Sequence, residues 1–133
     1  MIAFVNKIQV CSFATVDGDK PRVRYMMPFR ADENGFIFTT GKFKDIHGQL
    51  QANPSVELCF WDQAENRQVR IAGRAELVDD IDLKKEILEK FQFLKPWVER
   101  EGYEAMAVYR VCGETACTWV METNFDPKEA IEM

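Results

Sequence analysis

The sequence has few of the residues that mark metal sites and catalytic nucleophiles. Its 133 residues include one histidine, His47, and four cysteines, Cys11, Cys59, Cys112 and Cys117. The cysteines form no Cys-x-x-Cys pair and match no zinc spacing, so no metal site is expected. Cys11 and Cys59 lie in apolar runs and are expected to act as small buried hydrophobic residues in a reducing compartment. A Ser-His or Cys-His catalytic pair would have to use His47.

Long apolar runs and an excess of basic charge are also missing. No segment approaches the roughly 18 apolar residues of a membrane helix, and the first residues do not resemble a signal peptide. The formal net charge of -5 argues against a general attraction to nucleic acid or to anionic membranes. We therefore expect a cytoplasmic protein with no nucleic-acid or membrane partner, in which a local cluster of cations could still bind one phosphate group.

The residue pattern predicts one mainly β domain over residues 1–133, with short helices and a polar tail from about residue 124 to 133. Six or seven antiparallel strands with two short helices favour a closed or nearly closed barrel. The first three strands are expected to form a meander, Gly73 a bulge, and Gly113 the turn of a final hairpin. The strands are expected at 9–17, 21–30, 35–40, 55–62, 67–78, 104–112 and 114–122, and the helices at 45–52 and from 79–80 to about 93.

Two of these strands carry one apolar and one basic face. Alternation places Arg22 and Arg24 opposite Val23 and Tyr25, and it places Gln68, Arg70 and Arg74 together on one face of the strand at 67–78. Taken alone, this pattern describes half-exposed strands with solvated arginines.

The turn at residues 39–44 gives the arginines a second interpretation. Thr39, Thr40, Lys42 and Lys44 lie where a strand leads into a helix. A helix N-terminus offers unpaired N–H groups and partial positive charge, which suit a phosphate. Together with the arginines, these residues predict a pocket for a phosphorylated, planar ligand.

The order of several segments resembles the split-barrel flavoproteins related to pyridoxamine 5'-phosphate oxidase. The segments are SFATVDG at 12–18, PRVR at 21–24, FTTGK at 38–42, QLQANPSV at 49–56 and RQVRIAGRAEL at 67–77. The resemblance implies a Greek-key split β-barrel that forms a homodimer and holds flavin mononucleotide (FMN) between the subunits. Related split barrels bind heme or a deazaflavin instead.

The resemblance also implies a set of cofactor-binding residues. An arginine like Arg22 reaches the phosphate, Lys42 and Lys44 lie where basic phosphate ligands are found, and Gln68 matches a glutamine that touches the flavin from the partner subunit. The full set is Arg22, Val23, Arg24, Tyr25, Met26, Met27, Thr39, Thr40, Lys42, Lys44, Gln68 and Arg70. Trp61, Trp97 and Trp119 are expected in the core or the dimer interface.

The sequence departs from the vitamin B6 oxidases of that family. Its C-terminal region has no histidine for an Arg-x-His motif, Met27 replaces a lysine, and the residues after 80 do not match. We therefore expect an FMN-dependent oxidoreductase that acts on another small molecule or with a reduced nicotinamide, with no catalytic residue assigned. The alternatives are a non-catalytic flavin or heme protein, such as an electron carrier, and an interaction module without cofactor.

Overall fold

The structure is a computed structural model that describes residues 2–133. It contains eight β-strands and four short α-helices. The strands are β1 Cys11–Asp17, β2 Lys20–Met26, β3 Arg30–Asp32, β4 Gly35–Gly41, β5 Ser55–Asp62, β6 Arg67–Leu77, β7 Met106–Val120 and β8 Ile131–Glu132. The helices are α1 Ile2–Ile8, α2 Asp45–Ala52, α3 Ile81–Lys90 and α4 Lys95–Glu101. The mainly β fold with short helices is confirmed.

The strands form one antiparallel sheet that curls around a core. Their order is β2-β1-β5-β6-β7-β4-β3, with β8 beside β7. Phe13 on β1 and Phe38 on β4 are separated by three intervening strands in this order, yet their rings meet edge to face with centroids 5.1 Å apart. The inner faces of distant strands therefore enclose one core, as a barrel requires. Across residues 2–133, β2 pairs only with β1 and β3 only with β4, so these two strands are the edges.

The helices after β6 cover part of the outside of the sheet. Asp80 caps α3 by accepting hydrogen bonds from the N–H groups of Asp82 and Leu83, which confirms the predicted helix start. The helix ends at Lys90 rather than near Phe93, and α4 follows it. A second cluster of buried residues lies beneath these helices and includes Phe29, Leu83, Ile87, Phe91, Leu94, Met106 and Val108.

The predicted meander of the first three strands is confirmed only in part: β1 and β2 form the expected antiparallel hairpin, but the three predicted strands do not lie side by side in the sheet. The expected strand at 21–30 is split into β2 and β3, which belong to opposite edges of the sheet, and β4 pairs with β3 and β7 rather than with β2. The interruption falls at Met27 and Pro28; proline has no N–H to donate to a strand ladder.

The predicted hairpin at Gly113 is also wrong, because β7 runs unbroken from Met106 to Val120 and pairs with β6 from Tyr109 to Val120, on both sides of Gly113. The bulge at Gly73 is confirmed by the register shift between Ala72 and Gly73. A Cβ at Gly73 would collide with the carbonyl oxygen of Cys112. The glycines in this region therefore permit a close approach of two strands, not a chain reversal.

Both chain ends contain structure that the sequence pattern did not indicate. Residues 2–8 form α1, which buries Phe4 and Val5 against the sheet. The tail from 124 is mostly exposed, but Ile131 pairs with Ala116 in the short strand β8. Within residues 2–133, every helix is too short or too polar to cross a membrane.

Candidate functional site

A cleft of about 990 Å³ lies between the β1–β2 hairpin and the start of α2. It is lined by Arg22 and Arg24 from β2 and by Lys42 and Lys44 from the segment between β4 and α2. We call it the cation cleft. The structure thus brings together four of the residues that the sequence predicted for a phosphate site, although 17 residues of chain lie between Arg24 and Lys42.

Arg24 is held in place on the wall of the cation cleft. Its Nη1 donates to the Thr15 hydroxyl at 2.8 Å and to the Phe13 carbonyl at 3.3 Å, and its Nη2 donates to Gln49 Oε1 at 2.7 Å. The acceptors are all uncharged, and no carboxylate within residues 2–133 lies within 4 Å of the guanidinium. Burial lowers the pKa of Arg24, an effect that the charge of Asp45 opposes; an arginine starts from so high a pKa that it stays charged at neutral pH. Arg24 therefore carries a fixed positive charge without an anionic partner.

The other three cations differ in how far they are neutralised. Arg22 forms an exposed ion pair with Asp17 at 3.1 Å, and Lys42 pairs with Glu104 at 3.2 Å. Lys44 Nζ lies 5.3 Å from the centre of the Trp97 ring. The lining of the cleft contains four cations and two carboxylates, a net charge of +2 in a chain whose formal charge is -5. The cation cleft is therefore complementary to a dianion.

His47 adds a titratable group to the same cleft. The ring is half-buried, and its Nδ1 lies 2.7 Å from the hydroxyl of Tyr109, which also accepts a hydrogen bond from Gln51 Nε2 at 3.0 Å. Burial, followed by the charge of Lys42, lowers the pKa of His47. Burial raises the pKa of Tyr109. The imidazole is therefore neutral at physiological pH.

Val23 and Tyr25 of β2, and Met27 just after it, are exposed apolar residues, of which Val23 also lines the cleft. Val23, Tyr25 and Met27 are 68 %, 80 % and 49 % exposed, whereas Arg24 on the other side of the strand is half-buried. On β2 it is thus the basic face that turns inward and the apolar face that is solvated. We call Val23, Tyr25 and Met27 the apolar edge.

Gln68 and Arg70 lie on the outer face of the sheet rather than in the cation cleft. Tyr25 is in register with Ser12, Ser12 with Cys59, and Cys59 with Arg70, so the apolar edge and Arg70 share this face. Gln68 is flanked in register by Trp61 on β5 and Trp119 on β7, whose rings lie 6.4 Å apart. We call Trp61, Gln68, Arg70 and Trp119 the outer patch. Trp61 is 44 % exposed, which excludes the core as its location.

Three further predicted residues lie apart from the cleft. Thr40 is buried in β4, and Thr39 beside it donates to the carbonyl oxygen of Ala107 at 3.4 Å. Met26 is half-buried and packs against the core. Each of them remains a predicted cofactor residue without a place in the cation cleft.

Sequence reasoning missed Thr15 and Gln49, which position Arg24. The Thr15 hydroxyl donates to Gln49 Oε1 at 2.6 Å, and the same oxygen accepts from Arg24. A signal for Thr15 was present, since it follows Cys11 and Phe13 on the inward face of β1 and is the polar residue of that face. A buried hydroxyl on an apolar face requires hydrogen-bond partners, and Arg24 and Gln49 are those partners.

Comparison with known proteins gives one match at the level of a family. Residues 1–111 match the sequence model of the family described as "Pyridoxamine 5'-phosphate oxidase". A pyridoxine/pyridoxamine 5'-phosphate oxidase of Pseudomonas putida (strain W619) is 44% identical over 68 residues, which are 50% of this chain and 32% of the relative. The chain spans between 32% and 46% of the length of the first curated relatives that it matches.

Solved structures share the fold over nearly the whole chain. A NimC/NimA family protein from Clostridium acetobutylicum superposes with a TM-score of 0.79 at 22% identity, covering 99% of this chain and 90% of that one. A pyridoxamine 5'-phosphate oxidase-related, FMN-binding protein from Nostoc punctiforme PCC 73102 gives a TM-score of 0.69 at 16% identity, covering 99% and 93%.

Proposed function

The chain belongs to the pyridoxamine 5'-phosphate oxidase family, and we propose that it binds FMN as a homodimer and acts as a flavin-dependent oxidoreductase on a small molecule. The observation that carries the proposal is the cation cleft, where Arg24 holds a positive charge that no carboxylate of residues 2–133 neutralises. Structural relatives that bind FMN, such as the Nostoc punctiforme protein, support the choice of ligand.

The residues of the cation cleft fit the phosphate end of FMN. A guanidinium has five N–H donors, and three hydrogen bonds of Arg24 go to protein acceptors, so two N–H groups remain for an anion. The volume of about 990 Å³ lies within the range of roughly 300–1,000 Å³ that is usual for small-molecule pockets. Arg24 and Lys44 would hold the phosphate, with Arg22 and Lys42 at the rim.

The outer patch and the apolar edge are candidates for the second half of the site. An exposed apolar strand edge is a surface that proteins usually cover, and a second copy of the chain would cover Val23, Tyr25 and Met27. The partner's outer patch, with Gln68 between two tryptophans, would then flank the ring system. FMN, when bound, supplies the redox chemistry; the chain binds it, orients it and excludes water.

A non-catalytic cofactor-binding role is the second candidate, and the donor set of the cleft favours it. Arginine, lysine and amide side chains bind an anion, but His47 is the one lining residue of a type that exchanges protons near neutral pH. Under this proposal the protein stores or carries a flavin or heme. The visible spectrum of the untreated protein separates the cofactors, because heme gives a Soret band and flavin does not. Turnover of NADH or NADPH with an electron acceptor then separates an enzyme from a carrier.

Titration of FMN against the purified protein tests the phosphate assignment. Replacing Lys44 or Arg22 with alanine should weaken FMN binding by about 1–3 kcal/mol each, the usual cost of a lost hydrogen bond to a charged group. Lys85→Ala, on the exposed face of α3, is the matched control and should bind normally. Unchanged affinity in both cleft variants would show that the phosphate binds elsewhere.

Subunit complementation tests the shared site. One variant loses the cation cleft (Arg24→Met with Lys44→Ala), and the other loses the outer patch (Trp61→Ala with Gln68→Ala); neither should bind FMN alone. Mixed dimers would contain one intact site and one doubly defective site, so random pairing should restore about a quarter of the sites. If the variant without the outer patch binds FMN fully, or if mixing the two variants restores no FMN binding, the partner subunit does not contribute to the site.

A further inference from the structure

The two ring nitrogens of His47 have different surroundings. Nδ1 faces the buried hydroxyl of Tyr109 at 2.7 Å, on the side of the ring that points into the protein. Nε2 has no hydrogen-bond partner within residues 2–133, and the residue lines the cation cleft together with Arg24 and Lys44. The ring is therefore anchored at one nitrogen and leaves the other for a ligand.

The hydrogen bonds around Tyr109 indicate which nitrogen of His47 carries the proton. The Tyr109 oxygen accepts from Gln51 Nε2 at 3.0 Å, which leaves its own proton to be donated. The near acceptor for that proton is His47 Nδ1; the backbone oxygen of His47 lies farther away, at 3.5 Å. A neutral imidazole that accepts at Nδ1 carries its proton on Nε2. The shorter distance to Nδ1 thus favours the tautomer of His47 that carries its proton on Nε2.

We propose that His47 is a ligand of the anion in the cation cleft: it donates a hydrogen bond from Nε2–H, and a bound dianion stabilises its protonated form. The identity of the anion as the FMN phosphate rests on the proposed function; the role of His47 requires only a phosphate-like dianion. Protonation would place a hydrogen on Nδ1, and the Tyr109 hydroxyl would rotate to accept it.

The charges around His47 explain why the anion is needed for protonation. Its surroundings are mostly cationic, and burial together with Lys42 already lowers the pKa of His47. The titratable and charged groups that face it are Asp17, Arg22, Arg24, Lys42, Lys44, Asp45 and Tyr109. A dianion offsets this positive potential. By linkage, an anion that raises the pKa of His47 must bind more tightly as the pH falls through that pKa.

NMR spectroscopy of the untagged protein tests the proposal directly, because His47 is the one histidine of the chain. Long-range ¹H–¹⁵N spectra at pH 8 should show the proton on Nε2 and none on Nδ1. Sulfate is the probe, since it remains a dianion between pH 5.5 and 8, and sodium chloride keeps the ionic strength constant. Saturating sulfate should raise the pKa of His47 by about one unit, so its affinity should rise roughly tenfold over that range. A proton on Nδ1, or a pKa that sulfate does not change, would overturn the proposal.

Two variants separate this role from a structural one. In His47→Asn the side-chain oxygen can still accept from Tyr109 while the Nε2 donor is lost, so sulfate should bind more weakly and independently of pH. In Tyr109→Phe the ring loses its anchor, and the spectrum should show a mixture of both tautomers. A pH-dependent affinity that persists in His47→Asn would contradict the proposal.

The outcome for FMN is independent of the outcome for His47. If sulfate shifts the pKa of His47 but FMN does not bind, the proposed function fails and the anion role of His47 stands. If FMN binds while neither sulfate nor FMN changes that pKa, the role of His47 fails and the proposed function stands.

Discussion

Arg24→Met tests whether the preorganised charge of the cation cleft binds the phosphate. The arginine already has three hydrogen bonds that fix its orientation, so little side-chain entropy is left to lose when an anion binds. A hydrogen bond to a charged group contributes about 1.5–3 kcal/mol. The variant should therefore bind FMN roughly 10- to 150-fold more weakly.

Arg22→Ala provides an internal comparison. Arg22 pairs with Asp17, and both side chains are about half exposed, at 49% and 47%. Exposed ion pairs contribute about 0–1 kcal/mol, but Asp17 also offsets part of the charge that Arg22 could direct at a ligand. The loss of FMN affinity should accordingly be smaller for Arg22→Ala than for Arg24→Met.

The assay compares FMN with riboflavin, which has the same ring but no phosphate. Quenching of flavin fluorescence gives both dissociation constants, and only that of FMN should change in Arg24→Met. The fold should survive, because the Thr15 hydroxyl still donates to Gln49 Oε1 at 2.6 Å after the guanidinium is gone. Equal losses for FMN and riboflavin would show that Arg24 supports the fold or the ring site, and unchanged FMN affinity would refute the assignment outright.

Three further predictions concern stability and salt. Gly73→Ala should destabilise the protein by about 1–3 kcal/mol in urea unfolding, because the added methyl group overlaps the carbonyl oxygen of Cys112. Lys7→Met should lower the free energy of unfolding at pH 7 but not near pH 2. The hydrogen bond from Lys7 holds the pKa of Asp62 below its usual value. The stability that this interaction contributes is therefore present above pH 4 and is lost as the pH falls through the lowered pKa of Asp62. Sodium chloride should weaken the binding of FMN more than that of riboflavin.

Each of these predictions has a control. Gly48→Ala, in α2, adds a methyl group that meets nothing within 4 Å and should be neutral or stabilising, so equal destabilisation by both alanines would contradict the packing argument. Lys85→Met serves the same purpose for Lys7, and a stability difference that persists near pH 2 would exclude Asp62 as the cause. If sodium chloride weakens the binding of FMN and riboflavin equally, the cations of the cleft do not bind the phosphate.

Strand alternation was enough to predict β5 and β6, but not to orient β2. In β6, Val69 and Ile71 are fully buried, as an apolar face should be. In β2 Val23 and Tyr25 are exposed and Arg24 turns inward, because β2 is an edge of the sheet and Arg24 finds hydrogen-bond acceptors in Thr15 of β1 and Gln49 of α2. Alternation identifies two faces of a strand; which of them is buried depends on the other elements that pack there.

The pairing partners of the strands were beyond local sequence reasoning. Gly113 predicts a turn, because glycine often ends a strand. In the structure Gly113 instead pairs with Gly73 inside a long continuous ladder, where the strands approach each other closely. Helix α1 has seven residues, too few for a stable isolated helix. It is held by the burial of Phe4 and Val5 and by the ion pair between Lys7 and Asp62, all of which are tertiary contacts.

The two faces of β2 connect anion binding to assembly. One face brings Arg22 and Arg24 to the cation cleft, and the other exposes Val23 and Tyr25 beside the outer patch. A shift of this edge strand by one residue would exchange the faces, burying the apolar side chains and removing the arginines from the cleft. The hydrogen bonds from Arg24 to Thr15 and Gln49 oppose that shift, because they would be lost if the arginine turned outward. The residues that prepare the cleft for a dianion therefore also keep an apolar surface exposed on this chain, which is the arrangement that a site completed by a second copy requires.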